Sequence, residues 1–310
     1  MKIYKGYSGI KLKNPVVTIG MFDGVHLGHQ SLLKAVKEAA EKTNGEAVVL
    51  SFEPHPRIVL SMDSDSLKFL TSLDEKIALI EKAGIEHLFV LPFTRELSNL
   101  SACEFVEQVL LDRFNTRHLV VGFDHRFGRQ GDAGGGTVSE CAAKYGFSIE
   151  RIGACIRDGI SVSSTSIRNF IKEGDLQKAN DLLGYDYFLK GTVIGGLRIG
   201  RSMGYPTANL DPDYSHKLIP CDGVYAGEVE YEGKLYKSML YIGTRPTLEE
   251  GKGKRSIEAN LFDFEGNMYG KKMTLYFRYR LRGDFKFKNK QLLREQLDKD
   301  KEDTLRLMSR

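Results

Sequence analysis

The stretch "TIGMFDGVHLGHQSLLKAV", Thr18 to Val36, decides how the first half of the chain is built. It opens as the end of an apolar strand, "PVVTIG", and closes as an amphipathic helix that begins near His29. Between the two lie Gly20, Gly24 and Gly28, interleaved with His26 and His29. A tight strand-to-helix corner needs glycine but has no use for two imidazoles. Three explanations are open on these residues alone: a phosphate cradle, an HxxH metal site with no evident third ligand, or a turn followed by two ordinary helix-start histidines. The phosphate explanation has a direct physical basis. Unpaired N–H groups and the positive end of the helix dipole attract anions, and glycine lets the backbone approach them. Imidazole donors add to phosphate oxygens as charge builds, and losing one such donor typically costs about 10²–10³ in rate.

Outward from this corner the chain keeps alternating. "EAVVLSF", "HLFVLPF" and "RHLVVGF" are short, nearly unbroken apolar runs separated by helical stretches. "TSLDEKIALIEKAG" starts on a capping-box pair, Ser72 with Glu75, and stops at Gly84. "LSACEFVEQVLLDRF" repeats the device with Ser101 and Glu104, and "TVSECAAKYG" leads into "FSIERIG". Strands buried on both faces and linked by helices predict an α/β fold with a doubly wound parallel sheet. Ligands of such sheets bind beyond the carboxyl ends of the strands, where "FDGVHLGH" lies.

Two short helices in "STSIRNFIKEGDLQKANDLLG" close on Gly184, and then the pattern changes. "FLKGTVIGG", "GVYAGEVEYEGKLYKSMLYIG", "SIEANLFDF" and "KKMTLYFRYRLR" are strand-like, with turns at Glu232-Gly233 and Glu265-Gly266-Asn267. They predict a small antiparallel β-barrel followed by a charged C-terminal helix, "NKQLLREQLDKDKEDTLRLM". The boundary is expected near residue 184, giving domains 1–184 and 185–310.

Composition agrees with two domains: 310 residues, 41% hydrophobic and 28% charged, are the make-up of a chain that buries a real core. A net charge of +4 suits anionic small molecules and speaks against a dedicated nucleic-acid binder. Neither "MKIYKGYSGI" nor any later segment has the apolar run of a leader or membrane span, so a cytoplasmic protein is expected. Cys103, Cys141, Cys155 and Cys221 form no CxxC pair and read as reduced, mostly buried thiols.

A second anion-binding pattern stands late in the first half. "ISVSSTSIR" ends a strand in Ser163, Ser164 and Thr165 and enters a helix bearing Arg168. Hydroxyls and amides at a helix start, with an arginine one turn in, suit phosphate, although the same residue types also cap helices well. The two patterns together resemble the HxGH and SSTxxR pair of the nucleotidyltransferase superfamily. With "SFEPHP" (Ser51 to Pro56) and "VVGFDHRFG" (Val120 to Gly128), the first half is similar to the adenylyltransferase half of prokaryotic FAD synthetases.

That resemblance implies roles for individual residues. His26, His29, Ser163, Ser164, Thr165 and Arg168 would hold ATP phosphates. Gly20, Phe22, Asp23, Gly24, Gly28 and Asp124 would surround the nucleotide, and Phe52, Pro54 and His55 would lie on the flavin side. His125 stands where the family often has an aromatic residue. The reaction implied is attack of the FMN phosphate on the α-phosphorus of ATP, with release of pyrophosphate. The attacking phosphate is already ionised, so positioning and charge stabilisation suffice, with Mg²⁺ bridging the triphosphate.

The second half contains a near-miss. In "GGLRIGRSMGYPTANL", Gly195, Gly200, Arg201 and Ser202 almost spell a Walker A loop, but arginine replaces the required lysine. Gly204 and Pro206 also bar the helix that should follow. "GRSMGYPTAN" instead resembles the GRxLGFPTAN signature of riboflavin kinases, and "DGVYAG", "YIGTRPT", "SIEANLFDF", "MYGKK" and "RLRGDFKF" follow in that family's order. By this resemblance Glu258 is the general base for the attacking riboflavin hydroxyl, a contribution of about 10²–10⁴ in rate. Thr207 and Asn209 would offer hard oxygens to Mg²⁺, with Gly200 at the nucleotide and Arg282 at the flavin. Gly195 and Asn260 stand in place of family histidines. Asparagine can hydrogen-bond but cannot titrate.

The chain is therefore expected to use ATP twice, converting riboflavin to FMN and FMN to FAD. Riboflavin, FMN, FAD and ATP are its expected partners, with no nucleic acid or membrane. The departures at Gly195 and Asn260 keep open a flavin-binding regulatory protein whose kinase half is impaired. Adenylyltransferases acting on other acceptors also carry HxGH, but the attached kinase-like half favours flavin.

Overall fold

A computed structural model describes residues 1–7, 9–61, 63, 65–123, 138–195, 204–244 and 255–309. The chain divides into two compact units, Met1–Ser164 and Thr165–Arg310.

The first unit runs β1 (Lys2–Lys5), β2 (Val16–Ile19), α1 (Leu27–Lys42), β3 (Ala47–Glu53), α2 (Pro56–Leu60), α3 (Leu73–Lys82) and β4 (His87–Pro92). It continues with α4 (Arg95–Ser98), α5 (Ala102–Phe105), β5 (His118–Gly122), α6 (Val138–Tyr145), β6 (Ser148–Ile152) and a small hairpin, β7 (Ile156–Arg157) with β8 (Ile160–Ser161). Six strands form one sheet in the order β1-β4-β3-β2-β5-β6, every pair parallel. The doubly wound sheet is as expected. Alternate residues of the apolar runs face opposite sides: Val17, Val48 and Leu50 join one core cluster, while Val16 and Val49 join the other, with Leu33 and Val36 of α1. Strand order reverses about β2, which lies between β3 and β5, and opens the crevice into which the Gly20–Val25 corner leads.

Three features depart from the sequence expectations. The edge strand β1 is mostly exposed along "KIYK", so it lacks the apolar run that marks the other strands. The stretch after Ser101 is not one α-helix but the short α5 followed by a π-helical segment, Val106–Leu111. Most consequentially, Cys103 and Cys141 are joined in a disulfide with Cα atoms 5.5 Å apart, which corrects the expectation of four thiols; Cys155 and Cys221 are free. The reason is tertiary: α5 and α6 lie against the same core cluster, bringing together cysteines 38 residues apart.

The second unit comprises α7 (Ser164–Glu173, whose first residue closes the first unit), α8 (Leu176–Leu183), β9 (Tyr187–Ile194), β10 (Ala208–Pro212), β11 (Gly223–Tyr231), β12 (Lys234–Thr244), β13 (Arg255–Leu261), β14 (Lys272–Arg282) and α9 (Lys290–Leu307). The strands close into a six-stranded antiparallel barrel, β10-β13-β12-β11-β14-β9. Glu232 and Gly233, both at positive φ, make the two-residue turn between β11 and β12. Helix α8 ends on left-handed Gly184 and packs on β9 and β14, and the compact units part after Ser164, the first residue of α7, earlier than the boundary expected near 184.

Candidate active sites

The corner after β2 is shaped by its backbone. Phe22, Gly24 and Val25 have φ of 49°, 82° and 36°. Glycine meets such an angle without strain. Phe22 and Val25 are held there by burial, at 0% and 1% exposure. Asp23 turns inward: its Oδ1 accepts from the N–H groups of Leu70 (2.9 Å) and Thr71 (3.0 Å) and from the Thr71 hydroxyl (3.3 Å). Thr71 Oγ1 in turn accepts from the Gly24 N–H (3.0 Å), and Ser164 Oγ donates to the Asp23 carbonyl oxygen (2.9 Å). Asp23, expected around the nucleotide, thus ties the corner to residues 70–71. Thr71 was not singled out in the sequence, where no motif links it to Asp23.

Helix α1 starts at Leu27 rather than near His29, so His26 is its N-cap, and its Nδ1 accepts from the His29 N–H (3.4 Å). In its neutral form His26 therefore carries its proton on Nε2. The two imidazoles stack, with centroids 3.7 Å apart and planes at 19°. Gly28 allows this approach, since a Cβ there would stand 3.3 Å from the His26 ring. Phe22 backs His29 at 5.1 Å, and His29 Nδ1 is buried with no hydrogen-bond partner among the described residues. Burial, reinforced by His26 and Lys76, holds the His29 pKa well below its usual 6.5. His29 is consequently neutral near pH 7, able to donate a hydrogen bond but carrying no charge.

At the end of β3, beside β2, stand the residues expected on the flavin side. Phe52 is buried and edge-on to Phe93 (5.8 Å), and the Glu53–Pro54 peptide is cis. His55 caps α2 by accepting from the Arg57 N–H (3.1 Å), and its ring stacks on Phe69 at 4.4 Å. Asp124 and His125 lie outside the described residues. Thr165 and Arg168 sit on α7, in the second unit; Ser163 directly precedes the helix.

In the barrel, β10 and β13 pair antiparallel with Asn209 opposite Glu258. Thr207 Oγ1 donates to Glu258 Oε2 (2.9 Å), and Ser256 Oγ reaches Glu258 Oε1 (3.4 Å). Asn260, two residues on and buried, donates from Nδ2 to the Pro206 carbonyl (2.7 Å). The residue noted as a departure therefore holds the turn that carries Thr207. A cleft of about 460 Å³ opens here, lined by Pro206, Thr207 and Ala208 and by Phe264 to Tyr269. Pro206 leads into a strand, as a riboflavin kinase signature requires and a Walker A loop does not. Gly200, Arg201 and Ser202 lie outside the described residues; among the described residues, a Cβ at Gly195 would meet nothing within 4 Å. Arg282, expected at the flavin, forms a bidentate pair with buried Asp300 (2.8–3.1 Å) beneath the ring of Phe285. Tyr241 donates to Asp284 (3.2 Å), and burial together with the nearby carboxylates pushes its pKa to about 12. Among the described residues no cluster of three or more His, Cys, Asp or Glu could hold a metal, and zinc needs such a set.

A parallel α/β unit with an imidazole pair at a helix start, followed in the chain by a closed barrel bearing a carboxylate–threonine pair, offers groups suited to phosphate chemistry in each half. Comparison with known proteins agrees. The FAD synthetase family matches residues 10–166 and the riboflavin kinase family matches residues 183–308. The bifunctional riboflavin kinase/FMN adenylyltransferase of Bacillus subtilis is 37% identical, over 95% of this chain and 92% of its own. Those of Listeria monocytogenes (38%; 94% and 91%) and Escherichia coli K12 (32%; 97% and 96%) are similar throughout. A solved structure from Streptococcus pneumoniae, described as a macrolide-efflux protein, superposes with a TM-score of 0.88 at 30% identity, over 97% of this chain and 98% of that one. Among the described residues here, no helix is long and apolar enough to cross a membrane. The chain belongs to the bifunctional riboflavin kinase/FMN adenylyltransferase family. It phosphorylates riboflavin to FMN and adenylylates FMN to FAD, using ATP for both.

Proposed function

We propose that the two activities occupy separate sites in one cytoplasmic enzyme, adenylyl transfer within residues 1–184 and riboflavin phosphorylation within 185–310. In the barrel, Glu258 takes the proton of the riboflavin hydroxyl as that oxygen attacks the γ-phosphorus of ATP. The observation that carries this assignment is the Thr207–Glu258 hydrogen bond at 2.9 Å, which orients the carboxylate beside the PTAN turn. Thr207 and Asn209 suit Mg²⁺, being neutral oxygen donors next to a carboxylate. When bound with ATP, the ion offsets the charge of the phosphates. Asn260 supports the same turn through Pro206.

In the first half, His26 and His29 donate Nε2–H bonds to ATP phosphates, while the amides of the corner supply positive potential; by resemblance, the segment from Ser163 to Arg168 is a second phosphate-binding element. FMN enters from the Phe52–His55 side, and its ionised phosphate attacks the α-phosphorus. The protein positions and stabilises without a nucleophile of its own. Glu258→Gln tests the assignment. FMN formation from riboflavin is expected to vanish while FAD formation from supplied FMN continues. Loss of both with the fold intact overturns the two-site reading, and absence of an FMN peak from the unsubstituted chain with riboflavin and Mg-ATP points to a flavin-binding regulator instead.

A further inference from the structure

Lys76 sits where a lysine is costly. It projects from α3, is only 5% exposed, and donates to two neutral oxygens: the Met21 carbonyl (3.3 Å) and the Ser51 hydroxyl (3.1 Å). Taking an ammonium out of water is unfavourable unless its surroundings compensate. Burial pulls the Lys76 pKa below its ordinary range, and the carboxylates of Glu53, from β3, and Asp23, from the corner, act in the opposite sense. The charge is near enough to His29 to depress that imidazole further, alongside His26.

The two bonds join particular places. Met21 belongs to the corner after β2, and Ser51 lies near the carboxyl end of β3, just ahead of Phe52 to His55. The strands are neighbours, with Ile19 beside Leu50. We infer that Lys76 is a positioning residue for adenylyl transfer: it sets the spacing between the phosphate corner and the flavin-side segment, and it holds a positive charge close to His29. The inference rests on the assignment of that corner to ATP phosphates. In-line attack joins a phosphate delivered from one segment to a phosphorus held by the other, and a misplacement of about 1 Å can cost about 10² in rate. No motif in the sequence uses this lysine.

Full-length Lys76→Met, Lys76→Arg and Ser51→Ala proteins test it, with FAD formation, riboflavin phosphorylation and the NMR titration of His29 as readouts. Lys76→Met is expected to lower kcat for FAD formation by about 10–100-fold, more than it changes either KM, and to leave riboflavin phosphorylation unchanged. His29 should titrate at higher pH once the neighbouring charge is gone. Lys76→Arg should restore the His29 titration and most of kcat. Ser51→Ala, which keeps the ammonium, should give a smaller fall with His29 unmoved. The role is overturned by unchanged kcat in Lys76→Met, or by a loss that Arg does not rescue and that leaves the His29 titration where it was. His29→Ala separates the two levels. If it abolishes FAD formation while Lys76→Met is normal, Lys76 alone is misassigned; if it leaves FAD formation intact, the phosphate assignment fails and takes the inference with it.

Discussion

At the scale of single residues, the same side-chain types do different work according to their surroundings. His29 and His26 share a stack, yet His29 has a buried Nδ1 and a depressed pKa, and His26 spends its Nδ1 on the helix start. This has a consequence for stability. An imidazole whose folded pKa lies below its unfolded 6.5 binds fewer protons folded than unfolded over that interval. Its contribution is therefore full above pH 6.5 and is lost as the pH falls toward the folded value. Denaturant midpoints measured from about pH 7.5 down to about pH 5 should drop more steeply for the unsubstituted protein than for His29→Gln. Equal slopes would remove His29 from the account. The kinase side shows the same dependence on context. Asn260, a departure by family pattern, bonds to Pro206, and Arg282 is engaged by Asp300.

At the scale of elements, the helices and strands that bear the sites were largely legible. Both capping boxes, Ser72 with Glu75 and Ser101 with Glu104, form with both reciprocal bonds, because a cap is satisfied within one turn of chain. Fully apolar runs became interior strands because a parallel sheet buries both faces. β1 escaped notice for the converse reason: as an edge strand it is mostly exposed, and its pairing with β4 leaves no apolar trace. The disulfide escaped because α5 and α6 are separate in sequence. Closing a loop of 38 residues restricts the unfolded chain, and a cross-link of this kind contributes about 2–4 kcal/mol. Replacing both Cys103 and Cys141 with alanine should lower the unfolding midpoint of the first unit accordingly. An unchanged midpoint would show that the bond adds nothing to stability.

At the scale of the whole molecule, the FAD synthetase and riboflavin kinase families match separate stretches of one chain, residues 10–166 and 183–308. Separate sites predict a time course. With riboflavin and Mg-ATP, FMN should accumulate before FAD appears, and an added pulse of unlabelled FMN should dilute label passing from riboflavin into FAD. FAD forming without free FMN, and without such dilution, would point to direct transfer.

Local physics lies behind what could be read without coordinates. Apolar periodicity marked the sheet and the barrel strands, glycine and histidine at a strand-to-helix junction marked the corner proposed for ATP phosphates, and two ordered sets of motifs marked the two activities. Each of these signals is written within a few residues. Tertiary structure alone decided which donor meets which acceptor: Asp23 with Thr71, Lys76 with Ser51, Arg282 with Asp300, Cys103 with Cys141. Those partners lie 18 to 48 residues apart, and packing in three dimensions, which no local spacing encodes, brings them within bonding distance.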